Sequence, residues 1–582
     1  MSWWQRWKGG AKAAEPQPVG APSSPSAQQA LPGAVAPEVA DDQHIMEQAQ
    51  ALLAQGDVLG AVTRLEAALA DAIEPSRLQL AIGKARLKLP DLPGAEDAFA
   101  VAVALDAQLG EAWLRLGEIQ ARLEQLDAAL ESLVQARATV TEEMLFDVLY
   151  LQGRVLSRRE RFKEAQEAFQ QALGIQPSHA AVLLEAAALA LRLEEDTKAL
   201  NLYERSFQAD PDLKHRAGVG LAVAYRQAGR WHDARAILEE ATARQPNSPE
   251  LRWTLAQVRL ACGEWRQGWA DYGHRFAAGA VPYRPLPYRT WSGQPAPAQT
   301  VVVLAEQGLG DEIMFASCLP DVIARVGHCI VECEPRLTTL FSRSFPAATV
   351  LPTRRERDAS WLNRAAEPQW QIFSGDLPAL FRQGDEEFPR HQGYLQADPT
   401  RVHYWRERLQ HDLGAGLKVG ISWRGGTPNT RARARTLACA DWAPILGVPG
   451  CRFVNLQYGD SDAMLGQFQS EHGIRPAHYP EALADYDETA ALVCALDLVV
   501  SVCTAVIHLA GALGRPVWIL APLAPEWRYT AHRPVMPWYP STRVVRQASA
   551  EDWSSPCQEV SARLRQLTQI GSSLVEAAME HR

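Results

Sequence analysis

The sequence predicts a helical repeat array followed by two α/β units, and three observations carry that expectation. Small residues recur at near-constant intervals through the first half of the chain. Beyond residue 300, short apolar runs alternate with helix-like stretches, the pattern of a parallel sheet. Small-residue loops follow several of those runs, where a strand hands over to a helix N-terminus.

The repeats come first. Ala61, Ala95, Ala129, Ala165, Ala199, Ala234 and Gly268 stand 34, 34, 36, 34, 35 and 34 residues apart. Gly83, Gly117, Gly153, Ala187, Ala222 and Ala256 each lie 12 residues before the small residue of their repeat. Phe99, Leu133, Phe169, Tyr203, Leu238 and Tyr272 lie four residues after it, and Pro177, Pro211 and Pro246 lie 12 after. Small residues let two antiparallel helices approach, the bulky residue fills the next gap, and proline stops the second helix. Such an array is a solenoid with a groove for a protein or peptide, or a spacer.

The α/β half is read from its apolar runs. Val301–Ala305, Cys329–Cys333 and Thr349–Leu351 are expected strands, with a Pro-rich linker, Val281–Gln299, before them. The loop EQGLGD, Glu306–Asp311, leads into a helix expected over Glu312–Val326. A second unit starts at Lys418, with strands at Val419–Trp423, Phe453–Leu456, Leu496–Val502 and Val517–Leu520. A helix is expected over Val506–Leu513, and another over Ser549–Glu576 that crosses back over the cleft. Two such units in tandem imply a cleft at the strand carboxyl ends.

Composition narrows the function. A formal charge of −10 over 582 residues argues against general nucleic-acid binding. No run of about 18 apolar residues predicts a membrane span, and MSWWQRWKGG lacks the h-region of a secretory signal. Trp3, Trp4 and Trp7 with Arg6 and Lys8 suit a membrane surface, a partner or simply an exposed end. The nine cysteines all fall at or after Cys262 in spacings that make no zinc set, as in a reducing cytoplasm.

Several residues have the chemistry of a site. Trp423, Arg424, Gly425, Arg431 and Arg435 share one loop after a strand, where guanidinium groups suit phosphate or a sugar carboxylate. Cys503, Thr504 and Ala505 form the turn before the Val506 helix, and His508 lies one turn in, to meet a ligand or to pack. Glu526, Trp527 and Arg528 lie in a loop able to close over a ligand, while Trp538 suits a packing role.

Three motifs then carry a resemblance: AEQGLGDEIMFA at 305–316, GISWRGGTPNTRARARTL at 420–437, and LDLVVSVCTAVIHLAGALGRPVW with its tail to Gln547. Behind tetratricopeptide-like repeats, they resemble heptosyltransferase-like GT-B glycosyltransferases, and the whole layout resembles bacterial flagellin glycosyltransferases. The implied fold is α + α/β: a tetratricopeptide-repeat (TPR) solenoid, then two Rossmann-like lobes. The resemblance implies Asp311 as general base, with Glu306 as a lesser alternative and Gly308 and Gly310 shaping the loop. Asp311 as N-cap of the Glu312 helix is the structural alternative. It further implies that Thr504 and Ala505 face the donor phosphate. Cys503 departs from the family pattern, which has aspartate there. That departure puts heptose in doubt and suits an anionic sugar, such as a nonulosonic (pseudaminic- or legionaminic-type) acid.

The expected domains are a disordered leader 1–43, the solenoid 44–276, the linker 277–299, an acceptor-side lobe 300–415 and a donor-side lobe 416–582. The expected function is a cytoplasmic, metal-independent protein O-glycosyltransferase with no cofactor. Its repeats would hold flagellin, and a CMP- or NDP-linked sugar would be its donor substrate. The alternatives are a heptosyltransferase-like enzyme of surface-glycan assembly and a non-catalytic TPR scaffold.

Overall fold

A computed structural model describes residues 42–213, 217–355, 359–426, 431–550 and 552–570. The N-terminal tryptophans, most of the leader and the end of the expected C-terminal helix lie outside the described residues. Within the described residues the chain divides into two compact units, the first ending at Ala217 and the second beginning at Gly218.

The first unit is a stack of antiparallel helix pairs, such as Pro75–Lys88 with Leu92–Leu105 and Glu142–Arg158 with Phe162–Ile175. The sequence spacing has a direct steric cause. A Cβ placed on Gly83 would lie 2.4 Å from the Phe99 ring, and one on Gly153 would lie 2.6 Å from the Phe169 ring. Both rings are fully buried. The glycine of the first helix therefore makes room for the bulky residue of the second. Helices Phe162–Ile175 and Asp196–Ala209 stop two residues before Pro177 and Pro211.

Two further pairs, Gly218–Gln227 with Trp231–Arg244 and Pro249–Cys262 with Trp265–Tyr272, belong to the second unit. The rest of that unit holds two five-stranded parallel sheets. Their strands are β1 (Arg289–Thr290), β2 (Ala296–Leu304), β3 (Val326–Cys333), β4 (Ala348–Pro352), β5 (Trp370–Phe373), β6 (Leu417–Ser422), β7 (Cys451–Asn455), β8 (Leu498–Val502), β9 (Val517–Ala521) and β10 (Thr542–Arg546). The first sheet is ordered β1-β5-β2-β3-β4 and the second β10-β9-β8-β6-β7. Strand order reverses beside β2 in the first sheet and beside β6 in the second.

Both faces of each sheet are covered, which is why the strands read as apolar runs. In β2, Val301 and Val303 face one core and Val302 and Leu304 the other. In β8, Val499 faces that first core, while Val500 and Val502 face a third. One apolar cluster is continuous from Trp231, Leu255 and Trp269 of the helix pairs, through β2 and β3, to Ile507 and Ile519. This continuity, rather than chain order, makes the last helix pairs part of the α/β body.

Several segments differ from the sequence reading. The Pro-rich stretch before β2 is packed: Trp291 and Leu286 are buried and Thr290 pairs in the sheet. Strands β1, β5 and β10 carry no clear sequence signal, because each is short or broken by polar residues. The helix expected over Glu312–Val326 is shorter, split into Leu309–Phe315 and Leu319–Ile323 around Ser317 and Cys318. Helix Ser554–Ile570 does not lie over the cleft. Its Cys557, Val560 and Leu564 fill the core shared with Val500 and Trp518.

The glycine–aromatic match gives a paired expectation. Gly83→Ala should lower stability by about 1–3 kcal/mol through overpacking. Gly174→Ala has nothing within 4 Å of the new methyl and should be neutral or stabilising by up to about 1 kcal/mol. Urea unfolding of the two variants checks the contrast.

Candidate functional site

The loops that follow β2, β6 and β8 leave the sheets where the strand order reverses, the position at which α/β proteins bind ligands. They converge. Helix Leu309–Phe315 packs on helix Ala505–Ala512, and Gly310 is what permits this. A Cβ there would sit 2.9 Å from the His508 ring and 3.5 Å from the Ala505 Cα. Gly425 does the same for the third loop, because its Cβ would meet the Cys503 carbonyl oxygen at 2.5 Å and Thr504 at 3.1 Å.

Asp311 lies in the first turn of helix Leu309–Phe315, whose N-cap is Gly308. It is therefore not the N-cap of a helix beginning at Glu312. It caps from inside, its Oδ2 accepting from the Gly308 N–H at 3.1 Å. Its other oxygen accepts from Arg528 Nε, an ion pair that joins the two α/β regions.

Arg528 is a hub. Its Nη1 donates to Glu526 at 2.8 Å and its Nη2 to Gln307 at 3.0 Å. Burial opposes its charge, but the Asp311 and Glu526 carboxylates more than offset that, so its pKa is raised. Glu526 also accepts from Arg435 Nη1 at 2.9 Å. One carboxylate thus spans two arginines from separate loops.

Beside this network opens a cleft of about 290 Å³. Arg431, Arg435, Glu526, Trp527 and Arg528 line it, as does Gln307. The opposite wall comes from the helix pairs: Arg226, Gln227, Trp253 and Gln257. Arg431 donates to Gln227 across it. Sequence reasoning missed this wall because its residues sit inside ordinary repeats, with no motif to mark them.

The other expected site residues have different places. Glu306 is 3% exposed and is held by Arg275, which donates to both of its oxygens at 2.9–3.0 Å. Burial pushes its carboxyl up, against the pull of Arg275. It braces the loop and does not face the cleft. Trp423 is buried in the second lobe's core against Phe468, so it is not a ligand contact. Arg424 donates to the Asp460 carbonyl and does not line the cleft.

Cys503 is also buried, its thiol pushed up to about 12 by desolvation. The nucleophilic thiolate is therefore absent near neutral pH. Thr504, half-buried, is the N-cap of helix Ala505–Ala512, its hydroxyl 3.1 Å from Ser501 Oγ. His508 takes the packing role, with Tyr539 at 3.1 Å and Tyr529 at 3.4 Å from its two nitrogens. Trp538 packs likewise, edge-on to Phe388 and Trp269.

Away from the cleft, Cys439, Glu471 and His472 bring their ligating atoms within 4.8 Å of one another. The linear spacing of these residues had not suggested such a grouping.

Two outcomes follow. Glu306→Gln breaks a buried pair and should cost about 3–5 kcal/mol, read as a large fall in urea midpoint. Burial lowers the His508 pKa to about 3, with Arg528 adding to the effect. Its folded pKa lies below the ordinary value near 6.5, so the unfolded chain binds the proton more readily. Its stabilising contribution is present above pH about 6.5 and falls as pH drops below it, by up to roughly 1.4 kcal/mol per pH unit. His508→Phe should flatten the stability profile between pH 7 and 5 in denaturant titrations.

Family models described as tetratricopeptide repeat match residues 46–110, 150–213, 196–258 and 225–268. PilF of Pseudomonas aeruginosa is 17% identical, covering 36% of this chain and 93% of its own, with a TM-score of 0.33. A tetratricopeptide repeat protein from Parabacteroides merdae is 16% identical, covering 42% and 93%, with a TM-score of 0.33. Among the described residues, no helix is long and apolar enough to cross a membrane. Protein FlbA of Caulobacter vibrioides is 33% identical over 429 residues, which is 70% of this chain and 71% of FlbA. The chain is thus a TPR protein with two parallel α/β regions, and it belongs to the family of Protein FlbA.

Proposed function

We propose that this chain is a GT-B glycosyltransferase that moves a sugar from a nucleotide donor to Ser or Thr hydroxyls of a protein held by its repeats. The observation that supports this best is the ion pair by which Asp311, on the β2 loop and outside the cleft lining, meets Arg528, which lines the arginine-rich cleft. A carboxylate and a set of guanidinium groups are the two things such a transfer needs. Asp311 takes the acceptor hydroxyl proton as that oxygen attacks the anomeric carbon. The bond from that carbon to the donor phosphate oxygen breaks, and its electron pair leaves on the phosphate. Arg435, Arg431 and Arg528 stabilise the charge that develops there.

The nature of the sugar and acceptor rests on the resemblance of layout. It favours an anionic, nonulosonic-type sugar and flagellin as acceptor. TPR arrays commonly bind protein segments in their groove, which fits a macromolecular acceptor.

A second reading, a non-catalytic scaffold, is favoured by the same ion pair: Arg528 occupies the Asp311 carboxylate. Asp311→Asn separates the two. Transfer measured by mass spectrometry of the acceptor should fall by about 10²–10⁴-fold, with nucleotide-sugar binding retained. Full activity in the variant would remove Asp311 as base. Absence of transfer and of nucleotide-sugar binding in the parent chain would favour the scaffold.

A further inference from the structure

The arginine-lined cleft contains its own carboxylate, and that carboxylate is the most exposed charged group of the network. The side chains of Arg435 and Arg528 are 10% and 12% exposed, whereas that of Glu526 is 38% exposed. Arg528 is anchored independently by Asp311 and Gln307. The described residues lining the cleft include four arginines, at 226, 431, 435 and 528, and one acid, Glu526. Arginines outnumber acids on this lining, which suits an anionic ligand. Its bonds would be made at the guanidinium edges that Glu526 now takes, since bidentate arginine sites serve carboxylate and phosphate alike.

We propose that Glu526 is an internal stand-in for the anionic group of the ligand, and that binding exchanges the Glu526 carboxylate for a ligand phosphate or carboxylate on Arg435 and Arg528. This rests on reading the cleft as the donor site and adds the part Glu526 plays in it. Glu526 keeps two like-charged groups together and preserves the cleft shape through their shared bonds. It also imposes a threshold, because a neutral molecule cannot replace it. The device selects donors by charge, while Trp253 and Gln257, from helix Pro249–Cys262, wall the space beyond the arginines. A ligand with a planar ring next to its phosphate, as in a nucleotide, matches a wall of that kind.

Calorimetric titration of the full chain tests this, with CMP and UDP as phosphate probes and N-acetylneuraminate as a carboxylate probe without phosphate. Glu526→Gln removes the competing charge and should bind at least one probe about 5–10-fold more tightly than the parent. Arg435→Gln should weaken the same probe at least about tenfold. A gain for CMP or UDP identifies phosphate as the exchanging group, and a gain for N-acetylneuraminate identifies the sugar carboxylate. Glu526→Ala, with unchanged melting temperature, guards against an effect peculiar to glutamine. If the parent binds a probe and neither Glu526 variant binds it more tightly, the stand-in is overturned while the donor reading stands. If no probe binds to the parent or to any variant, the donor reading itself fails and the stand-in with it.

Discussion

The Arg528 guanidinium bonds at once to Asp311 and Gln307 of the first α/β region and to Glu526 of its own loop. The geometry of the site depends on that fork. A planar cation with donors on several edges can hold three acceptors at fixed angles, which a lysine ammonium cannot do with the same directionality. The fork fixes where Asp311 points and which face of the cleft is positive. It also carries the lobe-to-lobe register down to Gly310, whose missing side chain lets the two helix starts come into contact.

That register is held from behind by apolar packing. Trp269 and Tyr272 of the last helix pair stack edgewise on Trp527, the residue next to Arg528. The Ala531 N–H donates to the Ala261 carbonyl at 2.7 Å, tying the same loop to helix Pro249–Cys262. Tyr272 also accepts from Gln307 at 2.6 Å. The final repeats are thus structural supports of the site as well as repeats. Removing everything before residue 277 would strip a wall from the cleft and a face from the main core, so such a deletion would not isolate acceptor binding.

Much of the architecture was legible because it follows from periodicity. The 34-residue spacing reports a small residue facing a bulky one, which at Gly83 and Gly153 is a glycine against a phenylalanine ring. The runs in β2, β3, β6, β8 and β9 were readable because both faces of those strands are buried. The short edge strands β1 and β10 carry no such signal. In the site, Asp311, Arg435, Glu526 and Arg528 all lie in loops after parallel strands of the two sheets, and such loops gather at the strand carboxyl ends, where these four side chains meet. Side-chain direction is not legible in the motifs. Glu306 and Asp311 share a loop, yet one turns inward to Arg275 and the other outward to Arg528. Trp423 and Arg424 are neighbours with opposite fates for the same reason. Cys503 lies in the same turn as Thr504, yet its small apolar side chain sinks into the core.

The central claim is that Asp311 and Arg528 act as one coupled unit across the two α/β regions. A double-mutant cycle with Asp311→Asn, Arg528→Gln and the double variant, read by urea unfolding of the full chain, measures that coupling directly. The ion pair as described predicts an interaction energy of about 1–3 kcal/mol. Additive effects, with an interaction energy within about 0.3 kcal/mol of zero, would contradict it.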